Sequence, residues 1–271
     1  MQRNSVQYTV MFAGAVCLVC SLFVSAAAVS LSSTQAANRQ LDLQKRVLGV
    51  AGLFDPRGGL SPADIQQVWD DNMVTVIVDL RTGEEAEDAP IGDPETYNPV
   101  RAAQDPSMSE VAPANSASVR RVPHYSRVYK VFGDDGSLAM VIIPIEGMGL
   151  WGMMYGYVAL DADLNTIRGI TYYEHKETPG LGGEVDNPNW QALWPGRKAF
   201  DSEGEVAIRV VKGSAGEPDE DPYRVDGMTG ATFSNNGVTN GLQFWLGEHA
   251  FGPYLERLRE EKGQPLEATL S

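Results

Sequence analysis

The chain is poor in cysteine, histidine and cationic side chains. Its two cysteines, Cys17 and Cys20, both lie in an apolar N-terminal stretch. They cannot staple the rest of the chain, and cysteine usage says nothing of the redox compartment. The three histidines, His124, His175 and His249, are scattered and stand far from either cysteine. That argues against a zinc or iron–sulfur centre in the soluble part, so no metal site is expected. Lys and Arg number 21 against 36 Asp and Glu, a net charge of -15. A nucleic-acid partner needs a basic face to neutralise phosphates, and this balance excludes one. A length of 271 residues accommodates one large domain, or a domain with an anchor.

Charge is also missing from about Tyr8 to Leu31, a run long enough to cross a bilayer. A retained anchor is expected. The competing reading is a cleaved signal peptide, with Arg3, an apolar core and Ala26-Ala27-Ala28 as the cleavage site. Arg3 precedes the span, while Arg39, Lys45 and Arg46 follow it. Because long C-terminal domains cross largely regardless of flanking charge, orientation stays open at this level. The expected division is a tail over 1–7, a transmembrane helix over 8–31, a membrane-proximal helical connection over 32–60, and one domain over 61–271.

Within that domain, Ser61-Pro62 reads as an N-cap and first helical residue, opening a helix to about Met73. "VTVIVDL" (74–80) reads as a strand. Residues 84–95 carry six acids and no base, and the stretch 82–120 reads as an acidic, solvated loop. From residue 127 the pattern turns to hairpins: "RVYKVF" and "LAMVIIPI" around Gly133-Asp134-Asp135-Gly136, then "WGMMYGYVAL" and "TIRGITYYEH" around 161–165. "NPNWQALWPG" reads as a short helix and "EVAIRVVKG" as a strand. A helix is expected from near Ser234, where Val238, Leu242 and Trp245 recur at helical spacing, and a last one from Pro253 to about Lys262. The expected fold class is α+β: a mainly antiparallel sheet flanked by helices, preceded by one N-terminal transmembrane helix.

Three motifs invite a chemical reading. Gly147, Gly149 and Gly152 in "GMGLWG" match G-x-G-x-x-G, but a strand follows rather than a helix, which excludes a dinucleotide site. A close backbone approach suits these glycines better. "HKETPGLGGE" (175–184) follows a strand and exposes backbone N–H groups around Pro179, Gly180 and Gly182. In "VDGMTGATFSNNGV" (225–238), Gly230 and Ala231 let a bulky group lie against the backbone, and Thr232 stands just before a helix N-terminus, where an anion is favoured. Taken alone, this last stretch also reads as an ordinary turn capped by Ser234 or Thr232. No histidine or lysine that would activate a nucleophile lies beside it, and no catalytic residue is assigned.

Together the motifs carry more. "DGMTGAT" resembles the D-x-x-[ST]-G-A-T signature of proteins that hold FMN covalently through its phosphate, with Thr229 at the Ser/Thr position where Ser is commoner. "ETPGLG" resembles the companion loop of the same FMN-binding domain. "GMGLWGMMYGYVAL", "VVKG" and "GLQFWLGEHAFGPYL" are similar to segments of the C-type subunit family of sodium-translocating NADH:quinone reductases. The likeness spans nearly the whole chain and is weakest over 82–120.

This resemblance implies FMN joined as a phosphodiester to Thr232, with Asp226, Thr229, Gly230 and Ala231 around it. Asp226 would be read by a flavin transferase or would help activate the hydroxyl. Glu177, Thr178, Pro179, Gly180, Leu181 and Gly182, together with Trp151 and Lys212, would line the flavin. It further implies an electron-relay subunit with no complete reaction of its own. The partners would be the other subunits of a membrane complex that passes electrons from NADH to ubiquinone and exports sodium. The chain would be single-pass in the inner membrane with its domain on the periplasmic side. Two other readings stand beside it: the homologous G-type subunit of the related ferredoxin:NAD complex, and an anchored assembly or binding protein with no redox role.

Overall fold

A long uncharged run with no proline, and with Gly14 as the one glycine before Gly49, allows one long helix, and α1 spans Val6–Val50 (45 residues). Its first part, Val6–Ser32, is 27 residues long, apolar and wholly unburied, long enough to cross a membrane. The computed structural model describes residues 6–54, 59–133 and 135–262. Arg3 of the tail and Asp134 of the first hairpin turn lie outside the described residues. By contact the chain divides into two compact units, Met1–Gln44 and Lys45–Ser271.

In the second unit, helix α2 spans Pro62–Asn72 and opens as its sequence demands. Ser61 accepts a bond from Asp64 N (3.3 Å), and Asp64 Oδ2 accepts one from Ser61 N (3.0 Å), a reciprocal capping box with Pro62 at the first helical position. Strand β1 (Met73–Asp79) follows at once. The acidic stretch holds more order than a solvated loop. It carries β2 (Glu84–Glu85), α3 (Pro99–Ala102) and β3 (Ser109–Val111), and β3 pairs with β4 (Arg121–Pro123). Glu84 and Glu85 pair with β1 as an edge strand, and tertiary cations meet them, Arg257 on Glu84 and Lys130 on Glu85. Composition alone does not show such partners.

Strands β5 (Tyr125–Phe132), β6 (Leu138–Met148), β7 (Met153–Asp161) and β8 (Ile167–Glu174) form an antiparallel meander. With β1 and β2 they make one six-stranded antiparallel sheet in the order β2-β1-β5-β6-β7-β8. The expected α+β class is borne out. Trp151 lies in the turn between β6 and β7, and β7 begins only at Met153. The short helix α4 spans Pro188–Gln191.

The expected strand over "EVAIRVVKG" shrinks to β9 (Arg209–Val210), paired in parallel with β10 (Arg224–Val225). The amides before it bond elsewhere, Ala207 N and Ile208 N both to Ala199 O (2.9 and 3.2 Å), and Val210 N turns to Thr239 Oγ1 (2.9 Å), so no longer ladder is needed.

Helix α5 spans Thr232–Trp245 and α6 spans Gly252–Lys262. One sheet face and α5 share a core that includes Val141, Ile143, Ile145, Met154, Val158, Val238, Leu242 and Trp245. The helix sits against β6 backbone to backbone. A Cβ on Gly237 would meet Met148 O at 2.3 Å, and one on Gly147 would meet Gly237 O at 2.1 Å. Glycine at both positions is therefore a packing requirement.

Candidate functional site

The motif Asp226–Thr232 forms the approach to α5, and three sets of bonds shape it. Ala231 N bonds to Met228 O (3.3 Å), closing a turn in which Gly230 has φ +74°, a conformation open to glycine at little cost. Asn235, one turn into the helix, accepts from Met228 N (3.0 Å) and donates to Met228 O (3.1 Å). Asn235 escaped the sequence reading, although an amide one helical turn past a glycine turn is a usable signal. Asp226 uses both carboxylate oxygens on the neighbouring segment, accepting from Ala215 N (2.8 Å) and Ser214 Oγ (3.1 Å). Gly227 N adds a bond to Gly213 O (2.9 Å). The segment that carries Lys212 is thus fastened to the motif, and Lys212 is exposed at its start.

The helix begins two residues earlier than its periodicity suggests. Thr232 is its first residue, Ala231 is the N-cap, and no side chain caps it. Neither Thr232 nor Ser234 acts as the cap. The first-turn N–H groups keep their capacity for an anion, reinforced by the helix dipole. Thr232 and Thr229 are both exposed, whereas Ser234 is buried and donates to Glu177 Oε2 (2.5 Å).

Glu177 draws the second loop and the β6–β7 turn to this helix. Its carboxylate also accepts from Leu150 N (3.2 Å) and Trp151 N (2.9 Å). Trp151 Nε1 donates to Thr178 Oγ1 (3.1 Å). Gly182 sits where a Cβ would lie 2.1 Å from Ser234 Oγ, and a Cβ on Gly230 would lie 3.0 Å from Leu181 Cδ2. On the same loop Pro179 and Gly180 are exposed.

Four large apolar side chains stay in solvent here: Leu150 (53%), Trp151 (63%), Leu181 (44%) and Phe233 (65%). Leu150 and Trp151 belong to the clamped turn, Leu181 lies against Gly230, and Phe233 follows Thr232. Such a set marks a ligand or partner surface. The residues fit a flavin phosphate and ring: a free hydroxyl at an uncapped helix N-terminus, small residues before it, and apolar side chains nearby.

Residues 149–247 match the family model of the FMN-binding domain, a span that takes in the turn, the loop, the motif and α5. Fold and site thus define a protein with an FMN-binding domain. The chain is 45% identical over 260 residues to the C-type subunit of the Na(+)-translocating NADH-quinone reductase of Yersinia pestis, covering 95% of each chain. It is 44% identical to the protein of the same name from Pseudomonas aeruginosa, covering 95% of this chain and 98% of the relative. The crystal structure of Shewanella oneidensis NqrC superposes with a TM-score of 0.75 at 35% identity, covering 83% of this chain and 99% of that one. This chain belongs to the NqrC family, the C-type subunits of the Na(+)-translocating NADH-quinone reductases.

Proposed function

We propose that this chain is the flavin-bearing electron-relay subunit of a membrane-bound, sodium-translocating NADH:quinone reductase, with FMN held as a phosphodiester on Thr232 Oγ1. The single observation that carries the assignment is the contrast among three neighbouring hydroxyls. Ser234 is buried and committed to Glu177; Thr229 and Thr232 are both exposed, and of these two only Thr232 lies in the helix, as the first residue of its uncapped N-terminus. When bound, FMN supplies the electron transfer.

The chain's own residues hold and shape the site. The α5 N-terminus would receive the phosphate, where N–H groups and dipole favour an anion. Gly230 and Ala231 leave room beside it. Leu181 and Trp151 would cover apolar ring surface, with the indole fixed through Thr178, and the Glu177–Gly182 loop would wall the other side. Asp226 fastens the segment bearing Lys212, whose cation near the ring would favour a reduced, anionic flavin. Maturation would rest on a flavin transferase that reads the motif, since no activating base lies in it. Helix α1 would anchor the chain in the inner membrane, with the second unit on the periplasmic side among the other subunits.

Co-expression with a flavin transferase tests the attachment directly. Intact mass should show one added FMN, and flavin fluorescence should survive denaturation on a gel. Thr232→Ala should abolish both, and Thr229→Ala should keep both. Persistent fluorescence in the Thr232→Ala chain would overturn the assignment.

A further inference from the structure

We infer that Glu177 is a positioning residue that holds the Leu150–Trp151 turn and the first turn of α5 as one surface on either side of Thr232. Its service to a flavin rests on the function proposed above. The clamp itself rests on geometry alone.

Glu177 is 6% exposed, and a buried carboxylate is costly unless its oxygens are satisfied. Among the described residues no cation pairs with it. Its three partners are neutral donors from two different elements: Leu150 N and Ser234 Oγ on Oε2, and Trp151 N on Oε1. Consecutive backbone N–H groups in a turn make a concavity for anions, and here the chain's own carboxylate fills it.

The surroundings are cut to admit that carboxylate. A Cβ on Gly149 would lie 2.6 Å from Oε1, and one on Gly182 would lie 2.5 Å from Oε2. Two glycines on separate loops are therefore required by the same two oxygens. Gly147, by contrast, is required by α5. The glycine pattern that resembles a nucleotide loop thus splits into one helix contact at Gly147, one carboxylate contact at Gly149, and Gly152, where a Cβ would meet only Lys176 Cδ at 3.8 Å.

The consequence reaches the attachment site from both sides. Trp151 is fixed through its amide by Glu177 and through its indole by Thr178, the next residue. Ser234 stands two residues beyond Thr232 in the same helical turn. Glu177 therefore acts through Trp151 and Ser234 rather than through contact with a cofactor. Gln at this position keeps the shape but turns an amide donor toward an existing donor, so at least one bond is lost.

The test uses the full-length chain, with and without a co-expressed flavin transferase, in the variants Glu177→Gln, Gly182→Ala, Gly182→Ala with Ser234→Ala, and Glu174→Gln as an exposed control. In the flavin-free protein, Glu177→Gln should speed amide hydrogen exchange at Leu150 and Trp151 by about tenfold or more, because hydrogen bonds to a charged acceptor are lost. Glu174→Gln should leave these rates at the parent value. In the flavin-bearing protein, Glu177→Gln should keep covalent attachment but lower flavin visible circular dichroism by about half. Gly182→Ala serves if Glu177→Gln does not fold. It should speed the same two amides, and adding Ser234→Ala should reverse this in part by removing the oxygen the new methyl meets.

Unchanged exchange in Glu177→Gln and Gly182→Ala would overturn the clamp. Faster exchange with a parent-like flavin signal would overturn the positioning role. A parent chain without covalent flavin would overturn the function proposed above, and exchange would still decide the clamp.

Discussion

On one face of the six-stranded sheet, α5 lies so close to β6 that Gly237 and Gly147 have no room for a methyl group, and the one buried carboxylate nearby, Glu177, accepts three hydrogen bonds. On the other face the contacts are aromatic. Trp69, Tyr129, Tyr157, Tyr173 and Tyr155 follow one another with ring centroids 5.0, 5.9, 5.3 and 6.3 Å apart. Both faces hold buried polar atoms with no hydrogen-bond partner among the described residues: Thr75 Oγ1 and Tyr129 OH on this one, Trp245 Nε1 on the α5 side. Glu146, which alternates onto it from the same strand as Gly147, has neither a hydrogen bond nor an ion pair among the described residues. Large rings fill space tolerantly and bury much area. Backbone contacts and directed bonds allow little adjustment. The difference teaches that exact placement is concentrated on the side that carries Thr232, while the opposite side supplies bulk stability.

The largest way to break that contrast is a methyl group on the tight face. Gly237→Ala would place a Cβ 2.3 Å from Met148 O, a backbone atom that cannot swing aside. Urea unfolding should show a loss of about 3 kcal/mol, the upper range for overpacking. A loss below about 1 kcal/mol would mean that α5 can slide on β6 and that the face is not tight.

A smaller effect is expected across the sheet. Burial pushes the Glu146 carboxyl up from its ordinary 4.5 to about 7. The folded chain therefore holds this proton more tightly than the unfolded chain does. Its contribution is fully present below the unfolded value and is lost as pH rises through about 7. Glu146→Gln should raise stability at pH 8 by about 1–2 kcal/mol, allowing for the part still reached by water, and by nothing measurable at pH 4. Unfolding curves for both chains at the two pH values check this. An equal gain at both, or a loss at pH 8, would contradict it.

The smallest effect sharpens the same comparison. Tyr129→Phe removes a buried hydroxyl that has no hydrogen bond of good geometry among the described residues and keeps the ring between Trp69 and Tyr157. Stability should stay level or rise by up to about 1 kcal/mol. A clear loss in thermal unfolding would show that this hydroxyl is satisfied and that the aromatic face also depends on a directed bond.

Much of this protein is determined by sequence alone, because the signals are local. The uncharged run makes an apolar helix, Ser61-Pro62 with Asp64 makes a capping box, and alternating Val, Ile and Tyr between turn residues make the meander. The motif around Thr232 and its companion loop are legible too, since their residue types and order need no third dimension to be noticed. Tertiary structure decided the rest. Glu84 and Glu85 pair with β1 as a strand, and their carboxylates meet Arg257 and Lys130, which arrive from elsewhere in the chain. The run 205–213 keeps two strand residues because the amides before them, Ala207 and Ile208, bond to Ala199 O instead. Helix α5 starts at Thr232 rather than Ser234, because Ser234 commits its hydroxyl to Glu177, 57 residues away. A hydroxyl's choice between capping its own helix and bonding a distant carboxylate depends on what packing brings within reach, and local pattern carries no record of that.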